Sequence, residues 1–231
     1  MIANSVEMAK ANIGIIKDVS REFGLEINEN KSKALVYGNG GGVRVAHVGG
    51  VKVVNKITYL GLEVGDGSDI FQDQKEEVLK KAELRACWLG KEVETSFNKL
   101  DVGKLWWKCG VMPCLLMGAG VINYTEEQIK YLQRIENRVF RQLLGGLGDT
   151  PVAILRGEVG ASMVRTRIIQ ARLMLTKSII DGDNSLLKTI LANIRRLGEG
   201  RWYRLLTRYL QNVGLTFDEL ETMGKSDVWK K

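Results

Sequence analysis

Between Phe23 and Gly65, glycines cut the chain into pieces too short to be helices, and this stretch limits the folds open to the whole. Leu35-Val36-Tyr37 and residues 57–64 are apolar, β-branched runs bounded by glycine, a pattern that predicts strands. Val43-Arg44-Val45 and Val51-Lys52-Val53-Val54 flank Gly49-Gly50, a dipeptide suited to a tight hairpin turn. The expectation is a small antiparallel sheet between residues 33 and 64, entered from a helix. Gly38-Asn39-Gly40-Gly41-Gly42 leads into a β-type run and lacks Gly-Lys-Ser/Thr, so it reads as a strand connection and not as a phosphate cradle.

Outside this stretch the periodicity is helical. Residues 4–21 carry Val6, Ala9, Ile13, Ile16 and Val19 on one face, with Asn4 or Ser5 as cap and Gly24 as stop. Asp66-Gly67-Ser68-Asp69 reads as a turn with an N-cap for a long helix over 70–97, a cheaper account of the two carboxylates than a metal. A helix over 102–109 meets Pro113, which should break or kink it, and the adjacent Trp106 and Trp107 cannot both enter a core. Thr125-Glu126-Glu127-Gln128 opens a helix whose apolar stripe is Ile129, Leu132, Ile135, Val139 and Leu143, ended by Gly145-Gly146. Further helices are predicted over 152–155, 161–180, 185–196, 202–213 and 217–223. The fold class expected is therefore α+β, mostly α: a small antiparallel sheet followed by a helical bundle.

Gly24, Leu25, Ile27, Asn28, Lys31 and Ser32, followed by Tyr59-Leu60-Gly61, form a pattern in order and spacing. It resembles the end of the palm in reverse transcriptases of non-LTR (LINE-type) retrotransposons, where the first group is called motif D and the second the primer grip. The likeness extends more loosely to about Ile180. It implies three regions: a palm remnant over 1–65, a thumb-like helical region over 66–148 and a basic helical connection region over 149–231. Family members show Tyr-Gly before the helix that Thr125 caps and a tryptophan shortly after; Met117-Gly118 and Val121 stand in those places here.

Nucleotidyl transfer uses two metal ions held by carboxylates. In the family these come from an aspartate early in the palm and from a Tyr-x-Asp-Asp turn, and this sequence contains no Asp-Asp dipeptide. The resemblance thus implies a truncated reverse-transcriptase-like chain, inactive alone, with magnesium expected only for a complete family enzyme and no cofactor for these residues. Lys31 takes the place of the lysine that protonates the leaving pyrophosphate, and an exposed lysine in a turn is the competing reading. Tyr59, Leu60 and Gly61 take the place of the element that positions the primer end, with packing in the small core as the alternative.

Charge supplies an independent signal. Residues 134–211 hold 14 basic and 6 acidic side chains, whereas the remainder holds 20 and 21, so nearly all of the +7 net charge lies in the C-terminal helices. Arginine dominates the excess, which suits phosphate contact. Arg134, Arg138 and Arg141 share a face away from the Ile129–Leu143 stripe, and Arg165, Arg167 and Arg172 lie on the 161–180 helix; these six are the predicted nucleic-acid contacts, sequence-independent because phosphates carry no base information. The alternatives are a helical interaction module whose basic face takes an acidic partner protein, and one piece of a gene whose other exons hold the active site. Three cysteines and a lone His47 match no zinc-ligand spacing. No apolar run is long enough for a membrane span, and the N-terminus lacks a signal-peptide pattern, so no membrane partner and an intracellular location, cytoplasmic or nuclear, are expected.

Overall fold

The computed structural model describes residues 1–37 and 45–228. The expected connection at Gly38–Gly42 and the strand start at Val43-Arg44 lie outside them. The chain divides into two compact units, residues 1–76 and 77–231. The fold is mostly α with a small strand component, as the periodicities require.

In the first unit, α1 (Val6–Glu22) starts where the Ser5 hydroxyl accepts the Met8 amide at 3.1 Å, and the chain leaves it through Gly24 at φ +67°. Ile13 is its buried residue and packs with Val48 and Val51, ringed by Val6, Ala9, Ala34 and Val53. The partners outside α1 come from three short strands: β1 (Lys33–Ala34), β2 (His47–Val48) and β3 (Val51–Val53). β2 and β3 are the hairpin expected around Gly49-Gly50, whose φ values of +58° and +89° suit a two-residue turn that glycine enters freely. β1, by contrast, runs parallel to β3, so this sheet is mixed. Residues 57–64 are not one strand but two, β4 (Lys56–Tyr59) and β5 (Leu62–Gly65), folded back antiparallel with Ile57 opposite Val64.

The helix α2 (Gln72–Glu94) follows an Asp69 turn, in which the Asp69 carboxylate accepts the Phe71 amide at 3.2 Å and pairs with the fully buried Lys75. In the second unit, α3 (Lys99–Trp106) passes into a π turn at Trp107–Val111 and then α4 (Met112–Leu115). Pro113 therefore does not end the helix: the ladder widens instead, and the Met112 amide reaches the Trp107 carbonyl. Trp107 is buried edge-on to Phe140 at 5.2 Å, while Trp106 stays part-exposed against Trp88 at 4.7 Å.

Helix α5 (Glu126–Leu144) has the full capping box of Thr125 and Gln128, stops at Gly145 with φ +63°, and buries the predicted stripe together with Glu136 and Phe140. Then come α6 (Val152–Val159), α7 (Val164–Asp181), α8 (Ser185–Leu197), α9 (Arg201–Asn212), α10 (Phe217–Thr222) and α11 (Lys225–Val228). α7 is the axis of this unit, in contact with α5, α8, α9, α10 and α11. Its Leu173 joins Leu206, Leu210, Leu215, Leu220 and Val228 in one core. Residues 77–148 of the expected thumb-like region thus share one compact unit with the expected connection region, while 66–76 belong to the first unit. Arg156 and Glu136 fasten α6 to α5 by a buried ion pair, with Asn137 Oδ1 accepting from Arg156 Nη2 at 3.0 Å. No helix is long and apolar enough to cross a membrane among the described residues.

Candidate nucleic-acid interface

The residues of the motif resemblance lie in the first unit. Asn28 organises its turn: its Oδ1 accepts the Lys31 amide at 3.0 Å and its carbonyl accepts the Ser32 hydroxyl at 2.9 Å, an arrangement Asn favours in turns. Lys31 is exposed on that turn. Tyr59, Leu60 and Gly61 form the tip of the β4–β5 hairpin, with Leu60 at φ +50° and Gly61 at φ +81°. Tyr59 and Leu60 are 65% and 83% exposed, so the packing alternative for them is corrected: they project from the sheet. Two-residue reversals that match the twist of the paired strands need positive φ at the first central residue, which is why a leucine is held in a conformation it disfavours.

Among the described residues no group of three His, Cys, Asp or Glu side chains is gathered as a divalent-ion site requires.

The six predicted arginines separate into distinct situations. Arg172 is 1% exposed, which corrects its assignment as a phosphate ligand. Its Nη2 donates to the Ile122 carbonyl at 2.8 Å and to Asn123 Oδ1 at 3.0 Å, and its guanidinium lies 5.9 Å from the Trp202 ring and 5.6 Å from that of Tyr209. Burial without a carboxylate pushes its pKa below the ordinary arginine value. Arg141 is half-buried and reaches the Thr150 carbonyl at 3.4 Å, closing the loop after α5. Arg167 is half-buried with Nε on Ser162 Oγ at 3.1 Å; burial lowers its pKa, Glu136 opposes that and Arg156 adds to it. Arg138 is exposed but held by Glu83 at 2.6 Å. Arg134 stands in solvent over the Tyr131 ring at 5.7 Å.

Arg165 marks the cationic centre of the unit. Its Nη1 donates to Glu126 Oε1 at 3.0 Å and its Nη2 binds the other oxygen, a two-pronged pair that holds the Glu126 carboxyl below the usual range. Lys130 and Arg208 also draw that carboxyl down, which places them around the same acid. One carboxylate therefore sits among three cations from α5, α7 and α9. Arg208 continues as a row along α9 with Arg204 and Arg201, at i, i+4 and i+7 counted backwards, all three exposed and without an ion pair or hydrogen bond among the described residues. In the sequence these three belong to the basic excess without standing out from it. Their signal was there nonetheless: three arginines on the polar side of a strongly amphipathic twelve-residue helix.

No family model, curated protein or solved structure matches this chain.

Proposed function

We propose that this is a reverse-transcriptase-like protein whose helical unit binds the backbone of a nucleic-acid duplex without reading its sequence. The observation that carries the reading is the row of exposed Arg201, Arg204 and Arg208 along α9, none with an ion pair among the described residues, at whose end Arg208 acts with Lys130 and Arg165 on the Glu126 carboxylate. Guanidiniums without intramolecular partners keep their donors for phosphate oxygens. The motif D and primer-grip resemblance in the first unit supports the same class. With no Asp-Asp in the sequence, polymerisation by these residues alone is not part of the proposal.

Anisotropy titration of an RNA–DNA hybrid at several salt concentrations tests it. Counterion release gives a log–log slope of about −0.9 per neutralised phosphate on B-DNA, and a hybrid should keep its sign. Changing Arg201, Arg204 and Arg208 together to Gln should flatten the slope by up to about 2.7, whereas Arg138→Gln should leave it nearly unchanged, because that side chain is occupied by Glu83. A chain that fails to bind the hybrid at low salt, or a triple variant with an unaltered slope, overturns the reading.

A further inference from the structure

We propose that the cleft between α7, α8 and α10 binds a small organic anion with an apolar body, of the class of medium-chain carboxylates. The cleft measures about 510 Å³, within the range of small-molecule sites. α8 gives it one continuous face: Lys188, Leu191 and Arg195, and likewise Lys188, Ala192 and Arg196, lie three or four residues apart and so share one side of the helix. α7 adds Ile180, and α10 with the residue before it in the next turn adds Phe217 and Glu221. Leu191 is buried, and Ile180 and Phe217 pack against the core around Leu173, so the apolar floor is fixed by the fold.

The lining sets the charge of the ligand. Arg195 crosses the cleft towards α10, where its Nη2 donates to Asp218 at 2.5 Å, its Nη1 donates to Glu221 at 3.0 Å and its guanidinium covers the Phe217 ring at 4.6 Å. Both acids are thereby engaged by Arg195. Lys188 and Arg196, on the same face, are exposed and have no ion pair among the described residues, so the cleft keeps two unopposed cations. They stand about 12 Å apart along the helix axis with Leu191 and Ala192 between them, so an anionic head held at either end leaves the rest of the ligand on the apolar floor. A carboxylate is the head that a guanidinium grips with two parallel hydrogen bonds. The lining also sets the body. Among the described lining residues there is no hydroxyl or amide side chain, so a sugar or the edge of a nucleobase would lose water without gaining partners. With Arg195 over it, that face of Phe217 is also closed to a stacking base. An aliphatic body leaves no polar group unpaired and gains from burial against Ile180 and Leu191.

The test uses the full chain, dansyl-undecanoate as the fluorescent probe and dodecanoate as competitor below its micelle concentration. Dodecanoate should displace the probe at least tenfold more effectively than dodecanol, and dodecyltrimethylammonium should not displace it. Lys188→Gln with Arg196→Gln should weaken dodecanoate at least tenfold and leave dodecanol unchanged, a split that a disturbed fold would not give. Ala192→Trp, at an exposed position, fills the cleft and should weaken both while the circular dichroism spectrum stays that of the parent; if that variant unfolds, the charge variant decides alone. Equal displacement by dodecanoate and dodecyltrimethylammonium, or binding indifferent to the charge variant, overturns the proposal. So does uptake of the probe only from micelles, or binding to phosphatidylglycerol vesicles that free dodecanoate does not displace, which makes a lipid surface the source. Displacement of the probe by an RNA–DNA hybrid makes Lys188 and Arg196 part of a duplex surface and also overturns it. Arg201, Arg204 and Arg208 do not line the cleft, so their Gln variant should keep dodecanoate binding whatever the duplex titration gives, which separates the two results.

Discussion

Truncating Arg172 separates a structural arginine from a phosphate ligand. In the fold this side chain joins α7 to the Ile122–Asn123 segment and to the Trp202 and Tyr209 rings of α9. Arg172→Ala leaves the Ile122 carbonyl, on a residue with 0% exposure, short of its donor, at a cost of about 1–3 kcal/mol. Loss of the guanidinium from the two rings adds about 1 kcal/mol, and the void left by the stem adds about 1–2 kcal/mol. Relief from burying an unpaired charge offsets part of this, so a net loss of about 3 kcal/mol is expected. Arg172→Met keeps the stem and sheds the charge, and should lose no more than about 1–2 kcal/mol. Urea unfolding followed by tryptophan fluorescence reads both, since Trp202 lies at the site, and a loss of about 3 kcal/mol moves the midpoint by at least about 1 M. Arg172→Ala unfolding at the parental midpoint while losing affinity for a duplex would refute the reasoning and return Arg172 to the surface.

Tyr124 gives a prediction in pH: burial pushes its phenol well above the usual range, and its hydroxyl has no hydrogen-bond partner among the described residues. The unfolded chain releases that proton near pH 10 while the folded chain keeps it, so stability is intact below about pH 10 and falls above it, by up to about 1.4 kcal/mol per pH unit. Tyr124→Phe should flatten that alkaline fall and add about 1 kcal/mol near neutrality, both measurable by urea unfolding at about pH 8 and about pH 10.5. At the hairpin tip, Leu60→Asn should stabilise by about 1 kcal/mol, because Asn tolerates positive φ and Asn-Gly suits this turn. Slower amide exchange at the paired residues Ile57 and Val64 would register it, and faster exchange would contradict the strain argument.

Features written in neighbouring residues were legible in the sequence. The Thr125–Gln128 box, the Gly145 stop, the Gly49-Gly50 hairpin and the division of labour between Trp106 and Trp107 each depend on spacings of a few residues. The β4–β5 reversal was less visible because a leucine stands where turn chemistry asks for Asn or Gly, leaving Gly61 as the sole local cue. The parallel pairing of β1 with β3 joins residues about twenty apart and has no local signature. The arginines show the limit most plainly. Arg138 is neutralised by a residue 55 positions away, Arg165 by one 39 away, and Arg172 is buried against a carbonyl 50 away. Counting charge along the chain finds the excess, but which guanidiniums remain free is decided by packing.

The wide turn at Trp107–Val111 also acts on alignment. Gly103, Trp107, Val111 and Leu115 are all buried, each four residues beyond the last. On a straight α-helix every such step overshoots a full turn by about 40°, so a row of four would wander about 120° around the barrel and its ends could not face one neighbour. A π segment winds more slowly and takes up the overshoot. Gly103 lies close against Leu143 and Trp107 meets Phe140, two positions on the same side of α5, and beyond them the wide turn keeps Val111 and Leu115 buried in the same row. The proline expected to break or kink this helix sits at the edge of a section that retunes its pitch, so that a four-residue rhythm stays in phase with the partner it packs against.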